Sequence, residues 1–289
     1  YNFTENYMDV IKNHQINVIF ICTPNFLNKK LTILALKNKK HVFCEKPPTL
    51  NYKELKKVIE YEKKYGLKLM YGFNHRHHQS IIKMKKIIDD KIYGKILWMR
   101  GRYGKSVNGT FNKNWRSKKE LSGGGILIDQ GIHLLDLFLY LGGKFDEIKS
   151  VASSLYWKSN IEDNVFAILK NNKTGLSASF HSTMTQWRHL FSLEIFFEKG
   201  YITLNGLKTS SGTYGKEVLT IAKNRSTTPA ATHKSEKKYI FNVDNSIDEE
   251  VKIFINFIIK DKQVDIGSSN EAMEIMKIIY KIYKQNNLL

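Results

Sequence analysis

Cysteine and arginine are scarce in this chain of 289 residues. The two cysteines, Cys22 and Cys44, exclude a disulfide framework and suit a reducing compartment, so a cytoplasmic protein is expected. Six arginines stand against forty lysines. The formal net charge of +19 invites a nucleic-acid reading. Arginine is the favoured reader of phosphates and base edges, and here it is rare, while the lysines are spread along the chain instead of forming one tract. The charge therefore reads as a solubilising surface with attraction for anionic substrates, and no nucleic-acid partner is expected. No signal peptide, repeat or low-complexity tract is visible, and no long run is free of charge. The longest apolar stretch, residues 123–143, carries Asp129, His133 and Asp136. Each is expensive in a bilayer, so a buried helix is expected and no membrane partner.

What is present suits two globular units. An apolar content of 42% and an aromatic content of 12% are enough for real cores. The run "NVIFICT" (17–23) is continuous and β-branched, closed by Pro24 and Asn25, as in a strand buried on both faces. A helical pattern follows, then the short strand "HVFC", the amphipathic helix "LNYKELKKVIEYEKKYG" stopped by Gly66, and the strand "LKLMYGF". Strand, helix, strand, helix, strand means right-handed crossovers and a parallel sheet. Residues 1–73 are thus assigned to a partial, doubly wound α/β domain. Residues 74–289 are assigned to an α+β domain with an open, mostly antiparallel sheet, from alternating segments such as "NVFAILKN" and "HLFSLEIFFEKG". A helix initiated by glycine is expected over 123–141, and a long polar excursion at the sheet edge over 208–238.

Two places carry chemistry. In "HVFCEKPPTL" (41–50) a strand ends on Glu45 and Lys46, followed by the stiff pair Pro47 and Pro48. The end of the preceding strand presents Thr23, Pro24 and Asn25 to the same edge, where parallel sheets place ligands. In "SGGGILIDQGIHLLD" Asp129 and His133 are four apart, so a helix sets them on one face one turn apart. A carboxylate beside an imidazole fixes its tautomer and raises its basicity, as acid–base chemistry requires. Gly123 to Gly125 suggest close approach of backbone to a ligand. The cluster "FNHRHH" (73–78) follows the third strand and is expected to bring Asn74 or Arg76 near the crevice. "NWRSKKELSGGG" sets Trp115 and Arg116 on a loop feeding the glycines. No ligand spacing suits a metal.

In order, "VIFICTPN", "KHVFCEKPP", "GFNHR" and "GGGILIDQGIH" resemble the glucose–fructose oxidoreductase / inositol dehydrogenase (Gfo/Idh/MocA) family, and the likeness runs from about residue 5 to the C-terminal helices. The resemblance implies a Rossmann domain, NAD or NADP as cofactor, a sugar or cyclitol substrate, and a homo-oligomer formed through the C-terminal sheet. It implies that Lys46 touches the substrate hydroxyl and the nicotinamide, and that Asp129 and His133 are the acid–base pair. It implies a cofactor wall of Thr23, Pro24, Asn25 and Glu45. Asn28 stands where the family has histidine. No G-x-G-x-x-G occurs anywhere in the 289 residues, so the chain is expected to be an N-terminally incomplete member. "TMTQWRHLFSLEIFFEKGYITLNGL" and "SGTYGKE" resemble members that act on sugars of surface polysaccharides, which implies a nucleotide-linked or amino sugar. The alternatives are an NAD-dependent glycosidase of the same family and a catalytically silent binding or regulatory homologue.

Overall fold

The structure, a computed structural model, describes residues 3–223 and 233–289. After a short helix α1 (Tyr7–Lys12), strands β1 (Val18–Ile21), β2 (His41–Glu45) and β3 (Leu69–Gly72) pair in parallel in that order. Helix α2 (Asn25–Lys37) joins the first two strands and α3 (Tyr52–Tyr65) the last two. The bounds of α3 follow from local chemistry. The Asn51 side chain accepts from the Glu54 backbone N–H at the start, and Gly66 takes φ 64° at the end, a conformation glycine reaches without strain. The register sets Ile21 beside Cys44 and Glu45 beside Gly72, so all three strands finish at one level. Thr23 and Lys46 therefore leave the sheet along the same edge.

The second sheet has eight strands in the order β11-β10-β9-β8-β4-β7-β6-β5. They are β4 (Ile96–Gly104), β5 (Glu147–Ser153), β6 (Asn164–Lys170), β7 (Ser177–Thr183), β8 (Leu190–Phe197), β9 (Gly200–Asn205), β10 (Glu217–Lys223) and β11 (Lys237–Phe241). Only β4 and β7 run parallel, so the expected open, mostly antiparallel sheet is present. Along β6 the inward Val165, Ala167 and Leu169 are buried while Phe166 and Ile168 face outward and are exposed, the alternation of a sheet covered on one face. The polar excursion expected over 208–238 is not one: β10 and the start of β11 lie inside it, and its residues 224–232 lie outside the described residues. The short apolar run "VLTIA" is flanked by polar residues that hid its strand character.

Among the described residues five further α-helices complete the fold: α4 (Gln79–Asp89), the single turn α5 (Lys119–Ser122), α6 (Ile132–Gly142) and, near the end of the chain, α7 (Ser246–Ile259) and α8 (Ser269–Gln285). Although α7 belongs to the second unit by sequence position, it returns to the first sheet. Phe254 packs on Phe43 and Phe20, with ring centroids 5.7 and 6.0 Å apart. The free edge of β3 is met by the Gly267 carbonyl, which accepts from the Tyr71 N–H at 2.8 Å. The segment Lys119–Gly142 is long and apolar enough to cross a membrane, but most of it is buried inside the fold.

The helix expected over 123–141 is interrupted. Leu127–Gly131 forms a π turn, and regular helix resumes at Ile132. Its start has no capping side chain of its own and is held instead by Glu162, which is buried. The Glu162 carboxylate accepts from the N–H groups of Gly125 (2.9 Å) and Leu127 (3.0 Å) and from the Tyr283 hydroxyl of α8 (2.9 Å). A carboxylate satisfies orphaned donors at a helix start and suits its dipole. Gly124 and Gly125 serve this packing. A Cβ on Gly125 would lie 2.0 Å from the Glu162 carbonyl oxygen, and one on Gly124 2.0 Å from the Tyr283 hydroxyl. Glu162→Gln should therefore destabilise the protein by ~1–3 kcal/mol, because an amide N–H would face a backbone N–H. Tyr283→Phe should cost less. Urea unfolding of both variants checks the order; equal stability of Glu162→Gln and the parent would remove Glu162 as the anchor.

Candidate active site

At the carboxyl edge of β2, Lys46 leaves the first sheet and crosses to the π turn. Its ammonium donates to the Asp129 carbonyl at 2.6 Å and lies 4.0 Å from the Asp129 carboxylate. Two further cations reach the same carboxylate: Lys105, just past the end of β4, at 3.0 Å, and Arg116 at 3.7 Å. Burial alone would raise the Asp129 carboxyl, but Lys105, Lys46 and Arg116 together hold it below its ordinary value. Burial lowers the Lys46 ammonium, and Asp129 and Glu45 recover only part of that shift. Lys46, Asp129 and His133 all line one cavity of about 490 Å³, together with Tyr103, Lys105, Arg116 and Gln130.

The expected pairing of Asp129 with His133 is not formed. Asp129 lies in the π turn, and its carboxylate is taken by the three cations. His133 instead stacks face to face on His75, with centroids 3.9 Å apart and planes 14° apart, and its Nδ1 has no hydrogen-bond partner. Burial pushes His133 well below the ordinary histidine value, and the nearby Lys46 and His78 add to this. The ring is thus neutral at physiological pH and able to accept a proton.

The crevice residues at the strand ends are tied to each other. Asn28 is buried; its Nδ2 donates to the carbonyls of Pro47 (2.8 Å) and Glu45 (3.3 Å), and its Oδ1 accepts from Thr23 (3.1 Å). The residue that departs from the family pattern thus splices the two strand ends. Pro24 precedes α2 without a side-chain cap bond, and the Asn25 amide donates to the Ser122 carbonyl at 2.8 Å, joining α2 to the end of α5 just before the glycines. The Glu45 carboxylate rests against Gly72, and burial raises it. Trp115 is half-buried with the Arg116 guanidinium over its ring at 4.4 Å.

Two expected crevice residues are engaged elsewhere. Arg76 is buried and committed to Asp136 of α6 (Nε to Oδ2, 2.9 Å) and Glu271 of α8 (2.6 Å). Asn74 donates to Ser246 Oγ at 3.1 Å and faces His75 Nδ1 at 3.0 Å. The residue of that cluster that meets His133 is His75. Sequence reasoning also passed over Tyr103, Lys105, Gln130 and Tyr214, whose hydroxyl accepts from Gln130 Nε2 at 2.8 Å. The only signal for Lys105 is its place at a strand end, and Tyr214 sits in the polar stretch read as an excursion. Among the described residues no group of three or more metal-ligating side chains exists.

Residues 1–73 match the profile described as the oxidoreductase family with an NAD-binding Rossmann fold, and residues 81–203 match the GFO/IDH/MocA C-terminal domain. The chain belongs to the GFO/IDH/MocA oxidoreductase family. It is 32% identical over 155 residues to levoglucosan dehydrogenase of Pseudarthrobacter phenanthrenivorans, a match covering 53% of this chain and 40% of that one. It is 32% identical over 146 residues to D-glucoside 3-dehydrogenase of Escherichia coli, covering 49% and 40%. With myo-inositol 2-dehydrogenase of Thermotoga maritima the identity is 25% over 210 residues, covering 70% and 60%. The chain thus spans about half the length of the curated relatives it matches. The fold is that of a levoglucosan dehydrogenase solved with NADH and levoglucosan: the TM-score is 0.86 at 21% identity, covering 98% of this chain and 81% of that one.

Proposed function

We propose that this family member transfers hydride between NAD or NADP and a hydroxyl-bearing carbon of a sugar or cyclitol. The observation that carries the reading is the convergence of Lys46, Asp129 and His133 on one cavity at the carboxyl edge of the parallel sheet. The donor set fits the nicotinamide end of a dinucleotide: Thr23, Asn25 and Glu45 stand at the strand ends beside Lys46. The cofactor, when bound, supplies the hydride acceptor. This chain's own residues handle the proton and the charge. Lys46 stabilises the oxygen as it gains negative charge, and neutral His133 accepts the hydroxyl proton. Asp129 anchors the cations that surround that oxygen.

The finer substrate reading is a nucleotide-linked or amino sugar, supported by the cations Lys105 and Arg116, which line the cavity of about 490 Å³. A homo-oligomer through the second sheet is proposed on its exposed outer face, where Trp98, Phe166, Ile168 and Val151 stand uncovered. The test is to incubate the protein with NAD or NADP and neutral, amino and nucleotide-linked sugars while following nicotinamide absorbance. Substrate-dependent reduction supports the reading. A sugar released without net change in cofactor redox state would mean elimination instead, and cofactor binding with no response to any of these sugars would count against hydride transfer by this chain.

A further inference from the structure

A chain of hydrogen bonds with one possible direction runs to the wall of the cavity. It begins at Asp244, whose ionised carboxylate can only accept. The Ser246 hydroxyl therefore donates to Asp244 Oδ1, at 2.7 Å, and must accept from its other neighbour, Asn74 Nδ2, at 3.1 Å. That fixes the Asn74 amide and turns its Oδ1 toward His75 Nδ1, 3.0 Å away. Nδ1 must then carry the proton, which leaves Nε2 of a neutral ring to accept from the Tyr103 hydroxyl at 3.0 Å. Each orientation is forced by the one before it. An amide cannot pass a proton along such a path, so Asn74 makes the chain an orienting device and not a proton exit.

The ring so held lies directly under His133, and Tyr103 and His133 both line the cavity. His133 has no hydrogen bond at Nδ1, so its ring is placed by stacking on His75. We propose that His75 is a positioning residue for His133: locked as the neutral Nδ1–H tautomer from Asp244, it offers a fixed ring face that aims the His133 imidazole at the reacting hydroxyl. The neutrality matters. A second cation stacked on His133 would oppose the proton that His133 takes up, whereas a neutral π face favours it. Burial lowers His75 well below the ordinary histidine value, and the surrounding His133, His78 and Lys46 lower it further. His78 Nε2 also stands 4.0 Å from Asp244 Oδ1, so the carboxylate at the head of the chain faces one further titratable group.

The catalytic consequence rests on the proposed hydride transfer, but the tautomer does not, which separates the two in experiment. Nitrogen-15 NMR of histidine-labelled full chain should show His75 as neutral Nδ1–H from about pH 5 to 8. Ser246→Ala, which frees the Asn74 amide, should mix in the Nε2–H form. An Nε2–H or titrating His75 in the parent protein would overturn the proposal even if no sugar is ever oxidised. With an active substrate, His75→Ala should lower kcat by at least ~10-fold with little change in KM. His75→Phe, which keeps a neutral ring face and the core volume, should stay within about threefold of the parent. Parent-like kcat in His75→Ala, or a Phe variant as impaired as the Ala variant, would also overturn it. If the Ala variant does not fold, the Phe variant and the NMR tautomer decide.

Discussion

Lys46→Met should lower the rate of sugar oxidation at least ~100-fold, the usual scale of lost electrostatic stabilisation, while leaving the fold intact. The methionine keeps the apolar stem, and Asp129 retains Lys105 and Arg116 as counter-charges. What disappears, on the proposed mechanism, is the ammonium that faces the oxygen where charge develops. The pH dependence makes the prediction sharper. Burial favours the neutral amine, so the Lys46 ammonium is lost at a pH below that of a solvent-exposed lysine. Oxidation by the parent should therefore fall as pH rises through that lowered value, and the methionine variant should lack this alkaline limb. On the same proposal the acid limb belongs to His133, which must be neutral to accept the proton. Its value is pushed well down, so activity should persist to a pH below the ordinary histidine range. Initial rates across pH for both proteins check this. A variant within threefold of the parent would remove Lys46 from the chemistry.

Arg76→Leu should destabilise the protein by about 3–5 kcal/mol, the cost of stranding a buried charge. The guanidinium ties three elements together: the turn after β3, Asp136 in α6 and Glu271 in the first turn of α8. Burial raises the Asp136 carboxyl and Arg76 opposes that rise, so without Arg76 the carboxyl must take up a proton or remain an unpaired anion in the core. Pairing the change with Asp136→Leu should recover much of the loss, since two apolar residues pack where an ion pair stood. Urea unfolding of the single and double variants measures both. A single variant as stable as the parent would show that solvent reaches Asp136 despite its burial.

The chemistry at the strand ends was legible because it is local. A β-branched run closed by proline and asparagine, and a strand ending on Glu45, Lys46 and two prolines, declare a parallel sheet and its carboxyl edge without knowledge of the rest of the fold. The pattern of alternating strands likewise declared a largely antiparallel sheet, since alternation reflects one covered face. Less legible was anything that depends on how a helix is wound. The four-residue spacing of Asp129 and His133 holds only for regular α-helix, and the π turn separates them.

The cluster at residues 73–78 shows the limit most clearly. Arginine, asparagine and three histidines stand together in the sequence, and any of them is able to face a crevice. Local propensity does not rank them. The distant Asp136 and Glu271 take Arg76, and Ser246 takes Asn74, which leaves His75 under His133. The sequence by itself determined the family and the two kinds of sheet, and it nominated Lys46, Asp129 and His133 as candidates, because each rests on short-range pattern. Only the tertiary structure decided which side chains those residues meet, because buried charges and hydrogen-bonding groups choose partners by desolvation cost, and the partners lie on other elements, 83 residues apart for Lys46 and Asp129 and 60 for Arg76 and Asp136.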